Sequence, residues 1–566
     1  MGAAMLDALD EARTLIEALQ SLVETKPDDE ALVLLDRKQG EQCFTLGELW
    51  DRARSVQSAL MDRGLVPGSV VVLVLPTSPE LIAAYFGTML ARGIPAMLST
   101  PSNRVSDPRI FTDRVAHVVA NSSPHSLICR PDVAALFEGE RAALLGETRL
   151  LLPDEIETPA SFPDPAPCNS EAIASMQYSS GTTGTPKGVL VTHAAALNNL
   201  RSMQQAFEVS EGDVAVNWIP LYHDMGLFGA FLLPLLCGCK TVLIPTMDFM
   251  RDPAIWLRAI DKYRGTFAWA PNLAYALCAK RLRNEALDGL DLSSWRLALN
   301  GSEPVLATTV SAFAKRMAAY GFSRECMSPA YGLAEATVLA TVHPVREEPL
   351  CEVLDRDLLA AEEIARPTSS AGVSCVSIGR AIPNCKLEIR DAAGRPLPER
   401  HVGKVWLHSN ALFSGYHANA ELTSRVLVDG WLDTEDRGYL VGGYLFFVAR
   451  DKDLIIMGGE KYMPDDIEGA INRVPGVREG CAVVFGVMNE ERGTEDLAAV
   501  VETRETTEAA LADLERRIRA EVTAVTGLGL AHVILTPPGG VEKSTSGKLA
   551  RGPTRRRYAD ELGIRA

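Results

Sequence analysis

Glycines, hydroxyl side chains and a lysine crowd into one short stretch, YSSGTTGTPKGVLVTH, from Tyr178 to His193. Glycines such as Gly181 and Gly184 let a backbone come close to a bulky anion. The N–H and hydroxyl groups of Ser179, Ser180, Thr182 and Thr183 can then cradle phosphate oxygens, while Lys187 adds positive charge. The pattern is not the common lysine-ended phosphate loop, because Pro186 precedes the lysine and Gly188 follows it. A plain flexible turn has a similar composition. The apolar run before the loop and the lysine at its end favour phosphate binding.

Loops of this kind need a scaffold, and the chain supplies one. Short apolar runs recur, each closed by a turn signal: SVVVLVLP (69–76), HSLICR (125–130), IASMQYSSG (173–181), VAVNWIP (214–220), TVLIP (241–245), GTFAWAP (265–271) and RLALNGSEP (296–304). Runs this short and apolar on both sides suit buried parallel strands. Segments of helical period separate them, including 78–93 and 272–287. The expectation is an α/β fold with helices on the sheet faces and the site at the carboxyl ends of the strands. Residues 341–376 form an acid-rich, polar excursion, and an aromatic hairpin-like stretch, GYLVGGYLFFVA, ends near residue 449. Beyond it the pattern changes. The division read from the sequence is a large N-terminal region, 1–449, carrying the insertion-like 341–376, and a small mobile α+β C-terminal domain, 450–566.

Composition sets outer bounds. The 566 residues exceed one small module at roughly 150 residues per domain. A net charge of −17 argues against nucleic acid as the main partner. The eleven cysteines are scattered, and the pair Cys237 and Cys239 has no other metal-ligand residue at suitable spacing, so reduced thiols are expected. The N-terminus lacks a signal-peptide pattern, and the longest apolar stretch, 227–239, contains Pro234 and is shorter than the ~18 residues of a membrane span. The chain reads as cytoplasmic, without stable membrane insertion.

The Tyr178–His193 stretch resembles the signature loop of the adenylate-forming superfamily, which includes acyl-CoA synthetases, peptide-synthetase adenylation domains and luciferases. Further motifs follow in that superfamily's order. NGSEPV (300–305) resembles its adenine-side loop, YGLAEAT (331–337) its tyrosine-to-glutamate motif and TEDRGYL (434–440) its ribose-binding aspartate motif. RDKD (450–453) resembles the interdomain hinge and STSGK (544–548) the terminal catalytic-lysine loop. The resemblance implies activation of a carboxylate by attack on the α-phosphate of ATP, with pyrophosphate leaving. It implies that Gly301, Ser302, Glu303, Tyr331 and Gly332 border the nucleotide, with Tyr331 stacked on adenine. Asp436 would accept the ribose hydroxyls and Arg450 would support the ribose or phosphate side. Glu335 and Thr183 would hold Mg²⁺, Lys548 would reach the carboxylate and α-phosphate, and Lys452 would be the hinge.

WIPLYHDMGLFGA (218–230) and PNLAYALCAKRL (271–282) are similar to the fatty acyl-AMP ligases, which pass acyl adenylates to the phosphopantetheine arm of an acyl carrier protein. On that resemblance His223 neighbours the reacting carboxylate, and Met225, Leu227, Phe228, Leu273 and Tyr275 wall a tunnel for a fatty acid chain. The excursion 341–376 sits where those ligases carry an insertion that hinders CoA use. Three departures stand against this. Gly458-Gly459-Glu460 looks more like CoA ligases, Ala449 replaces a glycine before Arg450, and Glu435 replaces the glycine before Asp436. A non-glycine residue at position 435 is strained if φ must be positive there. CoA as acceptor, and a nucleotide-binding relative without turnover, remain the alternatives. The basic run at Arg555–Arg557 is a candidate dock for an acidic carrier.

Overall fold

The computed structural model describes residues 8–562 except 102–107, 166, 180–185, 371, 451–452, 454, 458–459, 490–493 and 544–547. Four of the apolar runs, those at 214–220, 241–245, 265–271 and 296–304, fall in the parallel half of one large sheet. Strands Glu30–Asp36, Lys240–Leu243, Val214–Asn217, Phe267–Ala270, Leu297–Asn300 and Met327–Tyr331 lie side by side in that order, all parallel. Side chains alternate across a strand, so each strand feeds two cores. Leu297 and Leu299 enter one core while Ala298 enters the other. The second core holds Trp256, Trp295, Tyr275 and Phe313 in edge-to-face and stacked contacts. A smaller parallel sheet orders Ile94–Met97, Val70–Val74, Ser126–Cys129 and Arg149–Leu151.

Two expectations from the sequence are corrected here. The run 173–181 is not a parallel strand. Ile173–Ser179 pairs antiparallel with Lys187–Thr192 in a separate sheet completed by Gly415–Tyr416. An isolated short apolar run carries no signal for strand direction, and Gly415–Tyr416, which completes the sheet by pairing with Lys187–Thr192, lies more than 220 residues beyond that strand. The excursion 341–376 is also less of an excursion than its composition implies. Thr341–Val342 and Val373–Ala381 are strands of the large sheet, and Cys351–Leu354 pairs with the latter.

Beyond Met327–Tyr331 the large sheet turns antiparallel, through Thr341–Val342, Val373–Ala381, Tyr444–Arg450, Trp431–Val441, Gly403–Ser409 and Cys385–Arg390. The aromatic stretch is a hairpin, as its pattern predicts. Gly442 and Gly443, with φ of 57° and 80°, join Val441 to Tyr444 in a two-residue turn that needs positive φ at both positions. The turn sets the register as far as Gly438 opposite Phe447, and a register shift between Arg437 and Gly438 then places Asp436 directly opposite Arg450.

The C-terminal portion has its own sheet, Val477–Asn489, Thr494–Thr503 and His532–Thr536, under helices Pro464–Ile471 and Glu508–Thr526. Leu514, Ile518 and Val522 recur every four residues on the longer helix and are fully buried. The Thr507 side chain accepts the Ala510 N–H at the start of that helix, and Gly527 ends it at φ 74°. Among the described residues, no helix is long and apolar enough to cross a membrane.

Candidate active site

The carboxyl ends of four adjacent parallel strands point to one edge, and the motif residues follow them. His223 lies beyond Val214–Asn217, Leu273 beyond Phe267–Ala270, Gly301 beyond Leu297–Asn300, and Tyr331 ends Met327–Tyr331. Ligand sites form at this edge because backbone groups there are not consumed by the sheet. Asn217 fixes the geometry locally. Its side chain accepts the Trp269 N–H at 2.7 Å and donates to the Ala230 carbonyl at 3.1 Å, pinning the segment after His223 to the sheet. That segment, Met225–Leu232, is a π-helix and is buried throughout. Such wide turns are rare and collect at functional sites.

His223 donates from Nδ1 to Asp224 Oδ1 at 2.6 Å, with the two side chains only 14% and 16% exposed. The Met225 N–H, 3.2 Å from Nδ1, bonds the nearer Asp224 Oδ1 at 2.6 Å. The ring's other nitrogen, Nε2, faces Ser302 Oγ at 3.4 Å. Ser302 is held at φ 72°, a conformation that costs a non-glycine residue free energy. Burial pulls the Asp224 pKa upward, but the charges of His223 and Lys548 and the His223 hydrogen bond keep it below the usual carboxylate value. Asp224 therefore holds the imidazole in one orientation. It was not singled out in the sequence, although it adjoins His223.

Asp436 is 5% exposed. It accepts the Tyr331 hydroxyl at 2.7 Å and faces Arg450 Nε at 3.4 Å. Burial raises its pKa, and Arg450 opposes that rise. Two carboxylate contacts made by the protein itself outline a polar seat for a hydroxylated ligand. Glu435 beside it has φ 58°, so the left-handed conformation the sequence raised is present. The Asp433 and Thr434 side chains accept the N–H groups of Glu435 and Asp436 and hold this turn.

Ser179 pairs with Lys187 across the antiparallel hairpin, bracketing the intervening segment. Ser180, Gly181, Thr182, Thr183 and Gly184 lie outside the described residues, as does Lys452. Glu335 sits on a single 3-10 turn, Ala334–Ala336, and its Oε1 accepts the Tyr416 hydroxyl at 2.7 Å. Burial raises the Glu335 pKa, and the Tyr416 hydrogen bond works against it. Gly332 leaves no room for a side chain, since a Cβ would lie 1.6 Å from the Val338 carbonyl oxygen.

Lys548, half-buried, comes from the C-terminal portion into this group. Burial lowers its pKa and so does Arg450, whereas Asp224, Glu303 and Asp436 hold it up. The lysine ammonium thus shares the field of the carboxylates that surround His223 and Asp436. Glu303 accepts the Leu273 N–H at Oε2, 3.0 Å away, which links the loop after Leu297–Asn300 to the helix Asn272–Arg281. The remaining site residues of the sequence reading are apolar. Met225, Leu227 and Phe228 are buried in the π-helix, and Leu273 is partly buried. Tyr275 lies inside the aromatic core, its hydroxyl donating to the Leu299 carbonyl at 2.8 Å.

One histidine of the signature stretch has a structural job. His193 is 2% exposed, accepts the Leu15 N–H at Nδ1, and is lowered by burial to a pKa of about 4. The Glu335 and Lys187 side chains would suit a nucleoside triphosphate with a hard cation, since Glu335 supplies an oxygen donor beside the strand that carries Lys187. Among the described residues, no group of three or more His, Cys, Asp or Glu could hold a metal unaided. A cation here would complete its shell with ligand oxygens.

The comparisons agree with this geometry. The pattern of the family described as AMP-binding enzyme matches residues 19–417. A long-chain-fatty-acid–AMP ligase of Mycobacterium marinum is 30% identical over 586 residues, 97% of this chain and 98% of that protein. A structure from studies of fatty acyl-adenylate ligases of E. coli and L. pneumophila superposes with a TM-score of 0.90 at 30% identity, covering 99% of both chains. A fatty acyl-adenylate ligase of L. pneumophila, solved with acyl adenylate and pyrophosphate, matches with a TM-score of 0.76 at 27% identity over 98% of both chains. A buried aspartate bonded to a tyrosine, a histidine–aspartate pair and a lysine reaching them from the C-terminal portion are thus set in a family whose members adenylate carboxylates: the chain belongs to the AMP-binding, adenylate-forming ligases.

Proposed function

We propose that the protein activates a medium- or long-chain fatty acid with ATP, releases pyrophosphate, and passes the acyl group to the phosphopantetheine thiol of an acyl carrier protein. The observation that carries the first step is the convergence of Lys548 with Asp224, Glu303 and Asp436 beside His223. Attack of a carboxylate on a phosphate brings two anions together, so positioned cations and donors supply most of the acceleration. Lys548 would bridge carboxylate and α-phosphate, and Asp436 with Arg450 would hold the ribose. His223, oriented by Asp224, would face the carboxylate. Tyr331 and Gly332, with Gly301, Ser302 and Glu303, would border adenine, and Lys187 with the loop from Ser179 would meet the β- and γ-phosphates. Mg²⁺, held by Glu335 and Thr183, would neutralise phosphate charge.

Fatty acid as substrate rests on the names of the similar ligases and on the buried apolar segment Met225–Leu232 next to His223. Carrier protein as acceptor is supported by the segment between the strands at 341–342 and 373–381. Its helix Arg356–Glu362 lies against Glu460–Tyr462, and Met463 packs against the hydrophobic cluster to which Leu354, Leu359, Ala365 and Val373 of this segment belong. This contact opposes the rotation of a small domain, divided from the large region at 449/450, that a CoA-using arrangement needs. The second reading, CoA as acceptor, is favoured by the Gly458-Gly459-Glu460 motif.

The test is pyrophosphate release over a series of fatty acids, followed by transfer to holo-carrier protein or CoA. It is run on the parent and on Met463→Ser, which loosens the contact without cutting sheet strands. Carrier loading by the parent with little acyl-CoA is expected, and Met463→Ser should gain CoA use. Efficient acyl-CoA synthesis by the parent would overturn the choice of acceptor. Background pyrophosphate release with every acid would favour a non-catalytic relative.

A further inference from the structure

Tyr416 belongs to no motif in the sequence, yet it touches two charged residues of the site. It is 8% exposed and lies on the two-residue strand Gly415–Tyr416, which pairs with Lys187–Thr192. The His417 N–H donates to the Gly188 carbonyl at 2.7 Å and the Ser414 N–H to the Leu190 carbonyl at 2.9 Å, so the phosphate-side strand is bound along its outer edge. The Tyr416 hydroxyl donates to Glu335 Oε1 at 2.7 Å. On the same ring, Lys187 Nζ sits 5.3 Å from the centroid. The backbone of Glu335 is held too, its carbonyl accepting the Phe413 N–H at 2.8 Å. Phe413 meets Tyr416 edge to face at 4.9 Å and fixes the ring plane.

We propose that Tyr416 is a positioning residue that couples Glu335 and Lys187, so that the cation-binding carboxylate and the phosphate-binding ammonium are set as one unit. The side chain is suited to this in two ways. A phenol donates a strong hydrogen bond to a carboxylate oxygen while leaving the other oxygen for a ligand. Its ring face attracts an ammonium without neutralising it, as a second carboxylate would. The site thus keeps both charges available, and the strand that carries Tyr416 transmits any shift at one to the other. The inference rests on the reading of Glu335 and Lys187 in the proposed function.

Calorimetric binding of α,β-methylene-ATP, with and without Mg²⁺, tests it on the full chain. Tyr416→Phe keeps the ring and removes one hydrogen bond to a charged group. Its binding without metal should match the parent within twofold, while the enhancement by Mg²⁺ should fall about tenfold. Tyr416→Leu removes the ring as well and should also weaken metal-free binding, by about fivefold. In a Glu335→Gln background, Tyr416→Phe should have no further effect, because its action runs through that carboxylate. A residue that only packed would alter melting temperature and both affinities together. Parent-like Mg²⁺ enhancement in Tyr416→Phe, or an undiminished Tyr416→Phe effect in Glu335→Gln, would overturn the proposal. A parent that binds the nucleotide in neither condition would instead refute the reading of the site.

Discussion

Replacing Asp224 by Asn keeps the shape of the side chain and removes its charge. In the parent, the His223 Nδ1–H donates to a carboxylate at 2.6 Å, a charge-assisted contact about twice as strong as a neutral one. Hydrogen bonds to charged groups contribute about 1.5–3 kcal/mol, so losing half of that leaves a deficit of roughly 0.8–1.5 kcal/mol. Lys548 also loses a neighbouring anion, one of three that sustain its positive charge. If both effects are felt as the acyl phosphate bond forms, the rate of adenylation should fall about tenfold. ATP affinity should stay within twofold, because the proposed ribose site at Asp436 and the Glu335–Tyr416 pair involve other residues. The assay is fatty-acid-dependent ATP–pyrophosphate exchange alongside calorimetric ATP binding. Exchange within twofold of the parent would refute the role given to Asp224, and so would equal losses in exchange and ATP affinity.

Further outcomes follow from individual positions. His193 has a pKa of about 4 against an unfolded value near 6.5, so the folded state resists protonation and stability is lost as pH falls from 6.5 toward 4. At pH 5 the loss is roughly 2 kcal/mol. In His193→Gln, the stability difference between pH 7 and pH 5, read by urea unfolding, should shrink by about that amount. Glu435 at φ 58° predicts that Glu435→Val melts below Glu435→Gly, by roughly 1–2 kcal/mol, in a thermal shift assay. Gly332→Ala should abolish ATP binding in calorimetry, since its Cβ meets the Val338 carbonyl at 1.6 Å and Tyr331 adjoins it. Reversing Arg555 and Arg556 to Glu should weaken carrier loading and spare pyrophosphate release. Arg557 is left out of that test because it bonds Glu542 and the Gly539 carbonyl.

Four of the six strands in the parallel half were legible because each is a short apolar run closed by a turn, whereas Glu30–Asp36 and Met327–Tyr331 were not among the runs read. The hairpin through Gly442–Gly443 was legible for a local reason as well, the turn chemistry being written in two adjacent residues. What escaped was long-range pairing. Nothing local reveals that Ile173–Ser179 runs antiparallel to Lys187–Thr192, or that Gly415–Tyr416 closes that sheet. Tyr416 was invisible for the same cause, since its partners lie 81 and 229 positions away in a chain read without contacts. Asp224 stood beside a recognised histidine, but only the turn into the π-helix brings its carboxylate onto the ring. Tyr275 shows the reverse error to guard against. An aromatic in a motif resembling a substrate wall lies among Trp256, Trp295 and Phe313 in the core.

The proposed function turns on Lys548, which would complete the adenylating site from the C-terminal portion. Fatty-acid-dependent pyrophosphate release by Lys548→Ala, set against the parent and normalised to ATP binding, tests it most directly. Release should fall to background while ATP affinity stays within severalfold of the parent. Unchanged adenylation in Lys548→Ala would contradict it.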